Sequence, residues 1–204
     1  VRVLVACERF GAVRDAFRAL GHDAWSCDTE PDVSDSPYHL QGDVRAHLDV
    51  DWDLMIAFPP CTYLCSSGLH WNTRRPGRAA QTEEALDFVQ LLLDAPIPRI
   101  ALENPRGCIG SRIRKADQVI QPWQFGADAS KETHLWLKNL PLLVPTQIVF
   151  GRVVMRPDGR AVTRWANQTD GGQNRLGPSE TRAAERGRTY PGVAAAMADQ
   201  WGIW

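Results

Sequence analysis

Through its first hundred residues the chain alternates short apolar runs with helical patterns, and that order leaves few folds open. Residues 2–6 (RVLVA) read as a strand. Residues 11–20 (GAVRDAFRAL) carry apolar side chains at 12, 13, 16, 17 and 20, a helical period that Gly21 ends. A second strand follows at 22–27, then a polar loop with Pro31 and Pro37, and a short edge strand and turn at 40–43. The run 53–58 (DLMIAF) is a buried strand stopped by Pro59-Pro60, because proline cannot extend a sheet ladder. Residues 81–93 form an amphipathic helix with Thr82, Glu83 and Glu84 in its first turn, and 99–102 (RIAL) is the next strand, ending at Glu103-Asn104-Pro105. Strands and helices in this alternation predict an α/β fold, a mostly parallel sheet with helices on both faces. After residue 130 the pattern shifts to strands at 134–138 and 147–154. Pro157-Asp158-Gly159 between two alternating arms predicts a hairpin over 155–162. Residues 165–189 read as polar loop and 193–201 as a closing helix. At 204 residues, with no repeat or long linker, one domain is expected over 1–204.

The composition, 44% hydrophobic and 23% charged, is that of a soluble globular chain, and no apolar run approaches the ~20 residues of a membrane span. Residues 1–10 are a strand broken by Glu8 and Arg9, not the apolar core of a signal peptide. Five scattered cysteines, an odd number, suit reduced thiols and a cytoplasmic location. The charge is uneven: residues 1–60 carry 11 acids and 5 bases, whereas 151–189 carry 4 acids and 8 arginines. A polyanion would be repelled by the first segment and attracted by the second.

The chemistry gathers at strand ends. Cys61 follows Pro59-Pro60 at the carboxyl end of its strand, the edge where open α/β sheets bind ligands. A thiol on that turn is either a nucleophile or a small buried side chain. Asp28 and Asp43 stand at two further strand ends, where a carboxylate binds ribose hydroxyls or an amino group, or else caps the next helix. Glu103 ends the neighbouring strand and would share a rim with Cys61. No histidine offers the signature of a base for Cys61. Cys61, Cys65 and His70 lack a fourth ligand at zinc spacing, so no metal is expected.

Taken together, Pro59-Pro60-Cys61 and Glu103-Asn104 resemble the Pro-Cys and Glu-Asn-Val motifs of the DNA cytosine-5 methyltransferases. The order around them is similar too. Cys7, Glu8, Phe10 and Gly11 stand where that family has its first cofactor loop. Asp28, Asp43 and Val44 resemble its ribose and adenine contacts. Residues 125–133 resemble its Tyr-Gly-x-Pro-Gln-x-Arg-x-Arg stretch, and Tyr190-Pro191-Gly192-Val193 its carboxy-terminal motif. The resemblance covers most of 1–137 and 186–204. It implies a Rossmann-like methyltransferase fold and S-adenosylmethionine as cofactor, held by Cys7, Glu8, Phe10, Gly11, Asp28, Asp43, Val44, Pro59, Gly192 and Val193. It also implies catalysis by Cys61, Glu103 and Lys131 on a cytosine flipped out of DNA.

The departures are informative. The first loop keeps one glycine, Pro105 replaces Val, and Lys131 and Thr133 replace two arginines. In place of a large target-recognition domain stand residues 138–189, a minimal insert with an arginine-rich hairpin. DNA contacts are expected from Ser66, Arg74 and Arg75 on the loop after Cys61, and from Arg152, Arg156, Arg160 and Arg164 on the hairpin. A monomer is expected, with a separate specificity chain as the other route to target reading. Two alternatives stay open: a catalytically inactive DNA- or cofactor-binding subunit, and a modifier of free cytosine nucleotides. An exocyclic amino methyltransferase would carry Pro-Pro-Tyr or Pro-Pro-Trp where this chain has Cys61.

Overall fold

The computed structural model describes residues 1–177 and 187–203. Its centre is a seven-stranded sheet built from β1 (Arg2–Ala6), β2 (Asp23–Asp28), β3 (His39–Gln41), β4 (Leu54–Ala57), β5 (Arg99–Asn104), β6 (Gln118–Ile120) and β7 (Thr133–Lys138). The order across the sheet is β3-β2-β1-β4-β5-β7-β6. The first five strands are parallel, and β7 runs antiparallel to both β5 and β6. The mostly parallel α/β sheet read from the sequence is therefore present, with its strand order reversing between β1 and β4. In open sheets the crevice outside that reversal is where ligands bind.

Strand alternation splits the core in two. Val3, Val5, Leu54, Ile56 and Ala101 face α1 (Ala12–Ala19) and the last helix, α5 (Pro191–Trp201). Leu4, Ala6, Met55, Ala57, Ile100 and Leu102 face α3 (Arg78–Leu93) and the short α4 (Ile109–Arg112). A four-residue helix, α2 (Ser66–Leu69), lies in the loop after Cys61. The start of helix α5 packs against the turn after β6 because Gly192 has no side chain: a Cβ there would collide with the Phe125 carbonyl oxygen.

β8 (Arg152–Met155) and β9 (Ala161–Arg164) form a separate antiparallel hairpin. The turn at Pro157-Asp158-Gly159 is as read, but the strand expected from 147 begins only at Arg152, and Gln147 makes a single bridge to Phe125. Strand β5 also runs two residues further than the apolar run, carrying Glu103 and Asn104 into the ladder with β7. Part of the loop expected at 165–189 lies outside the described residues. Among the described residues, no helix is long and apolar enough to cross a membrane.

Candidate active site

Two cavities flank the carboxyl end of β4. The larger, about 470 Å³, opens on the α3 side of the sheet. The ends of β1 and β2 supply Cys7, Cys27, Asp28 and Thr29, and the turn after β3 supplies Gly42, Asp43, Val44 and Arg45. Pro59, Pro60 and Tyr63 form the floor, and Gln81, Glu84, Ala85 and Phe88 come from α3. The smaller, about 20 Å³, lies on the opposite side and is lined by Phe58, Glu103, Lys131, Thr133, Tyr190 and Val193, among others. Phe58 and Pro59 are consecutive, so one peptide is the wall between the two spaces. Cys61 leaves that wall two residues later, exposed, and its carbonyl accepts the Leu64 and Cys65 N–H groups in a tight turn.

The turn is tied to β5. Asn104, buried, donates from Nδ2 to the Pro59 carbonyl at 2.8 Å, while its Oδ1 has no hydrogen-bond partner among the described residues. Beside it, Glu103 is held between Lys131 and Thr133. Burial raises its carboxyl above the usual range, against the pull of Lys131, the Thr133 hydroxyl and His134. Burial thus favours the neutral form of this carboxyl, and Lys131 lines the same cavity. Cys61 lines neither cavity; what joins it to Glu103 is the short Phe58–Cys61 segment and its bond to Asn104.

The residues expected to hold a cofactor divide four ways. Cys7, Asp28, Asp43, Val44 and Pro59 line the larger cleft. Cys7 adopts a φ of 59°, and burial pushes its thiol up to about 12 and that of Cys27 up to about 11, so both are neutral thiols in the wall. Asp28 uses Oδ1 to accept the Glu30 N–H at 2.9 Å. Asp43 caps the turn that follows, accepting the Arg45 N–H and guanidinium at 3.0 and 2.8 Å, which holds its carboxyl below the usual range. Glu8 and Gly11 instead serve α1. The Glu8 carboxylate, buried, accepts the Val13 and Arg14 N–H groups at 2.7 and 3.2 Å, and Gly11 starts the helix at a φ of 66°. Phe10 sits beneath Arg9 and Arg188. Gly192 and Val193 belong to α5, with Val193 on the Glu103 cavity.

Sequence reasoning missed the α3 wall and the clamp behind β2. Gln81, Glu84, Ala85 and Phe88 fall at i, i+3, i+4 and i+7, a second helix face that was legible beside the buried stripe of Thr82, Leu86 and Val89. Arg14 is wholly buried and donates from Nη1 to Asp32 at 2.5 Å and to Ser26 Oγ at 2.8 Å, fixing the loop after Asp28. No pattern in the sequence pairs Arg14 with Asp32.

The residues expected at DNA are on the surface but unequally engaged. Ser66 is exposed, as are Arg74 and Arg75, and Arg75 stacks over Trp71 at 4.0 Å. Arg152 donates to the Trp165 and Gln168 carbonyls and to Asp170, and Arg164 donates to the Asp170 carbonyl. These two arginines pin the segment that follows the hairpin. Arg160 pairs with Asp158 at the tip, and Arg156 is exposed beside it. Among the described residues, no three His, Cys, Asp or Glu side chains cluster as metal ligands.

No family model matches this chain, and no curated protein matches its sequence significantly. Among solved structures, one from E. coli described as a "putative DNA modification methyltransferase encoded within prophage" is similar over 73% of this chain, at 14% identity and a TM-score of 0.47. This chain corresponds to 52% of that one, about half its length.

Proposed function

We propose that the chain transfers a methyl group from S-adenosylmethionine to C5 of cytosine in DNA, through a covalent adduct between Cys61 and C6 of the base. The observation that carries this reading is the β4 end, where Phe58 borders the Glu103–Lys131 cavity, Pro59 borders the acid-edged cleft, and Cys61 follows on the same turn.

The cleft fits the cofactor in size and donor set. Its volume is in the range of small-molecule sites. Asp28 keeps one carboxylate oxygen for ribose hydroxyls, Pro59, Pro60 and Phe88 offer apolar walls, and Asp28, Asp43 and Glu84 favour a cationic ligand. When bound, S-adenosylmethionine supplies an electrophilic methyl group. The rest is the work of this chain's side chains. Cys61, as thiolate, adds to C6 and makes C5 nucleophilic. In its protonated form, which burial favours, Glu103 donates to N3 of the ring, and Lys131 meets the O2 carbonyl. Once C5 carries the methyl group, water takes the C5 proton, its electron pair re-forms the C5–C6 double bond, the Cys61–C6 bond breaks to free the thiolate, and N3 returns its proton to Glu103. Asn104 positions the Cys61 turn and touches no reacting atom.

The test is methyl transfer from labelled S-adenosylmethionine to unmodified DNA, with bisulfite sequencing of host DNA after expression. Methylated cytosines at a short motif support the reading. A protein that retains cofactor or DNA without turnover is a binding subunit, and methylated dCMP with unmethylated DNA moves the substrate to free nucleotides.

A further inference from the structure

The hairpin has two unlike faces. Register pairs Arg152 with Arg164 and Val154 with Val162 on one of them. That face is covered, because Arg152 and Arg164 reach down onto the Trp165–Asp170 segment. The other face carries Val153, Met155, Ala161 and Thr163, paired Val153 with Thr163 and Met155 with Ala161. It is bare: Val153 is 70% exposed and Met155 64%, with Phe150 at the root 88% exposed. Four methyl-bearing side chains on one exposed ribbon face require an explanation, since a two-stranded hairpin gains little by exposing them.

The surroundings favour one occupant. Residues 151–177 carry five arginines and two aspartates, and the exposed tip presents Arg156 and Arg160, so a polyanion is attracted along the ribbon. The root is fixed beside the Glu103 cavity. Trp123 and Trp165 stack at 5.5 Å, the Val149 N–H donates to the Trp123 carbonyl, and Asn167 exchanges two hydrogen bonds with Ser130, next to Lys131. A DNA major groove admits a two-stranded ribbon, and the apolar group it displays is the thymine 5-methyl.

We infer that the Val153–Met155–Ala161–Thr163 face enters the major groove of duplex DNA and reads thymine by its methyl group, while Arg156 and Arg160 meet phosphates. The inference rests on the DNA substrate proposed above and adds the reading face and the base it prefers. It also gives Arg152 and Arg164 a supporting part, bracing the ribbon from behind.

The experiment compares affinity for one mixed-sequence duplex made by PCR with dTTP or with dUTP, for the wild type and for a Val153→Ser/Met155→Ser variant. Both changes are at exposed positions, so the fold tolerates them, and circular dichroism checks this. The wild type should bind the uracil duplex more weakly, by about fourfold for each methyl buried. The variant should bind the thymine duplex more weakly than the wild type does and should not distinguish the two. Equal binding of both duplexes by the wild type overturns the inference, as does a thymine preference that the variant keeps. A variant that changes only the oligomeric state on gel filtration overturns it too, and makes the face a contact between copies. If the wild type methylates DNA yet ignores thymine methyls, only this inference fails; if it binds neither duplex, the DNA substrate itself is wrong.

Discussion

Replacing Arg14 by Met should cost far more than a single surface charge. The guanidinium is wholly buried, and its Nη1 meets Asp32, whose side chain is 3% exposed, and Ser26. Its bonds to Asp15 count for little, because that carboxylate is 59% exposed. Methionine keeps most of the apolar stem, so the loss falls on the polar partners. Breaking a buried ion pair by removing one member costs about 3–5 kcal/mol, and the Ser26 bond adds about 1. Asp32 retains the Ser34 N–H, the Ser34 hydroxyl and the Ser36 N–H, which lowers the first figure. The expected loss is about 3–4 kcal/mol, read by urea unfolding near neutral pH. Burial works to raise the Asp32 carboxyl, but Ser34, Arg14 and Ser36 outweigh it and hold the group well below the usual range. A carboxyl depressed in the fold contributes stability that is present above its unfolded pKa, about 4, and is lost as the pH falls. Wild type should therefore lose stability in acid more steeply than Arg14→Met. A double-mutant cycle with Asp32→Asn should give a coupling of about 2 kcal/mol or more. A loss below about 1 kcal/mol, or no coupling, would refute the claim that this pair fixes the loop edging the cleft.

Other outcomes follow from the same geometry. Burial pushes the Glu8 carboxyl up to about 7 from an ordinary 4.5, despite the Val13 and Arg14 N–H groups. Its contribution to stability is full below about 4.5 and falls as the pH rises through 7, so Glu8→Gln should gain on wild type by up to about 3 kcal/mol between pH ~5 and ~8 in thermal melts. Asn104→Ala loses the bond to Pro59 but also an unpartnered buried oxygen, so stability should change by under about 1 kcal/mol while kcat falls at least about tenfold with KM for cofactor held; a large stability loss would make Asn104 a structural residue. Asp28→Ala should weaken S-adenosylmethionine binding by about 1.5–3 kcal/mol in calorimetric titration, and unchanged affinity would remove Asp28 from the site.

Much of the sheet was legible because its strands are buried on both faces and read as apolar runs. β1 matches the run at 2–6, and β4 ends where Pro59 forbids another ladder bond. β6 was not legible: three residues with Val119 and Ile120 as their apolar content form a strand only because β7 is there to pair with. The antiparallel place of β7 between β5 and β6 is likewise a tertiary result. At the site, Asp28, Asp43 and Glu103 sit on cavities at the strand ends, where position along the strands put them, and Pro59 and Lys131, which only the resemblance singled out, line the same cavities. Glu8 and Gly11 are expected at the cofactor only through the resemblance, and the structure gives them to the start of α1. The arginines of the hairpin could not be sorted from sequence, since alternation gives the two faces but not which of them the next segment covers.

Covalent trapping tests the central claim most directly. DNA carrying 5-fluorocytosine cannot lose its C5 substituent as a proton, so the adduct should persist when the wild-type protein is incubated with it and S-adenosylmethionine. The account predicts a denaturation-resistant protein–DNA complex, mapped by mass spectrometry to Cys61 and absent in Cys61→Ser. A complex mapped to Cys65 would move the nucleophile, and no complex under conditions where the DNA is methylated would contradict the covalent mechanism.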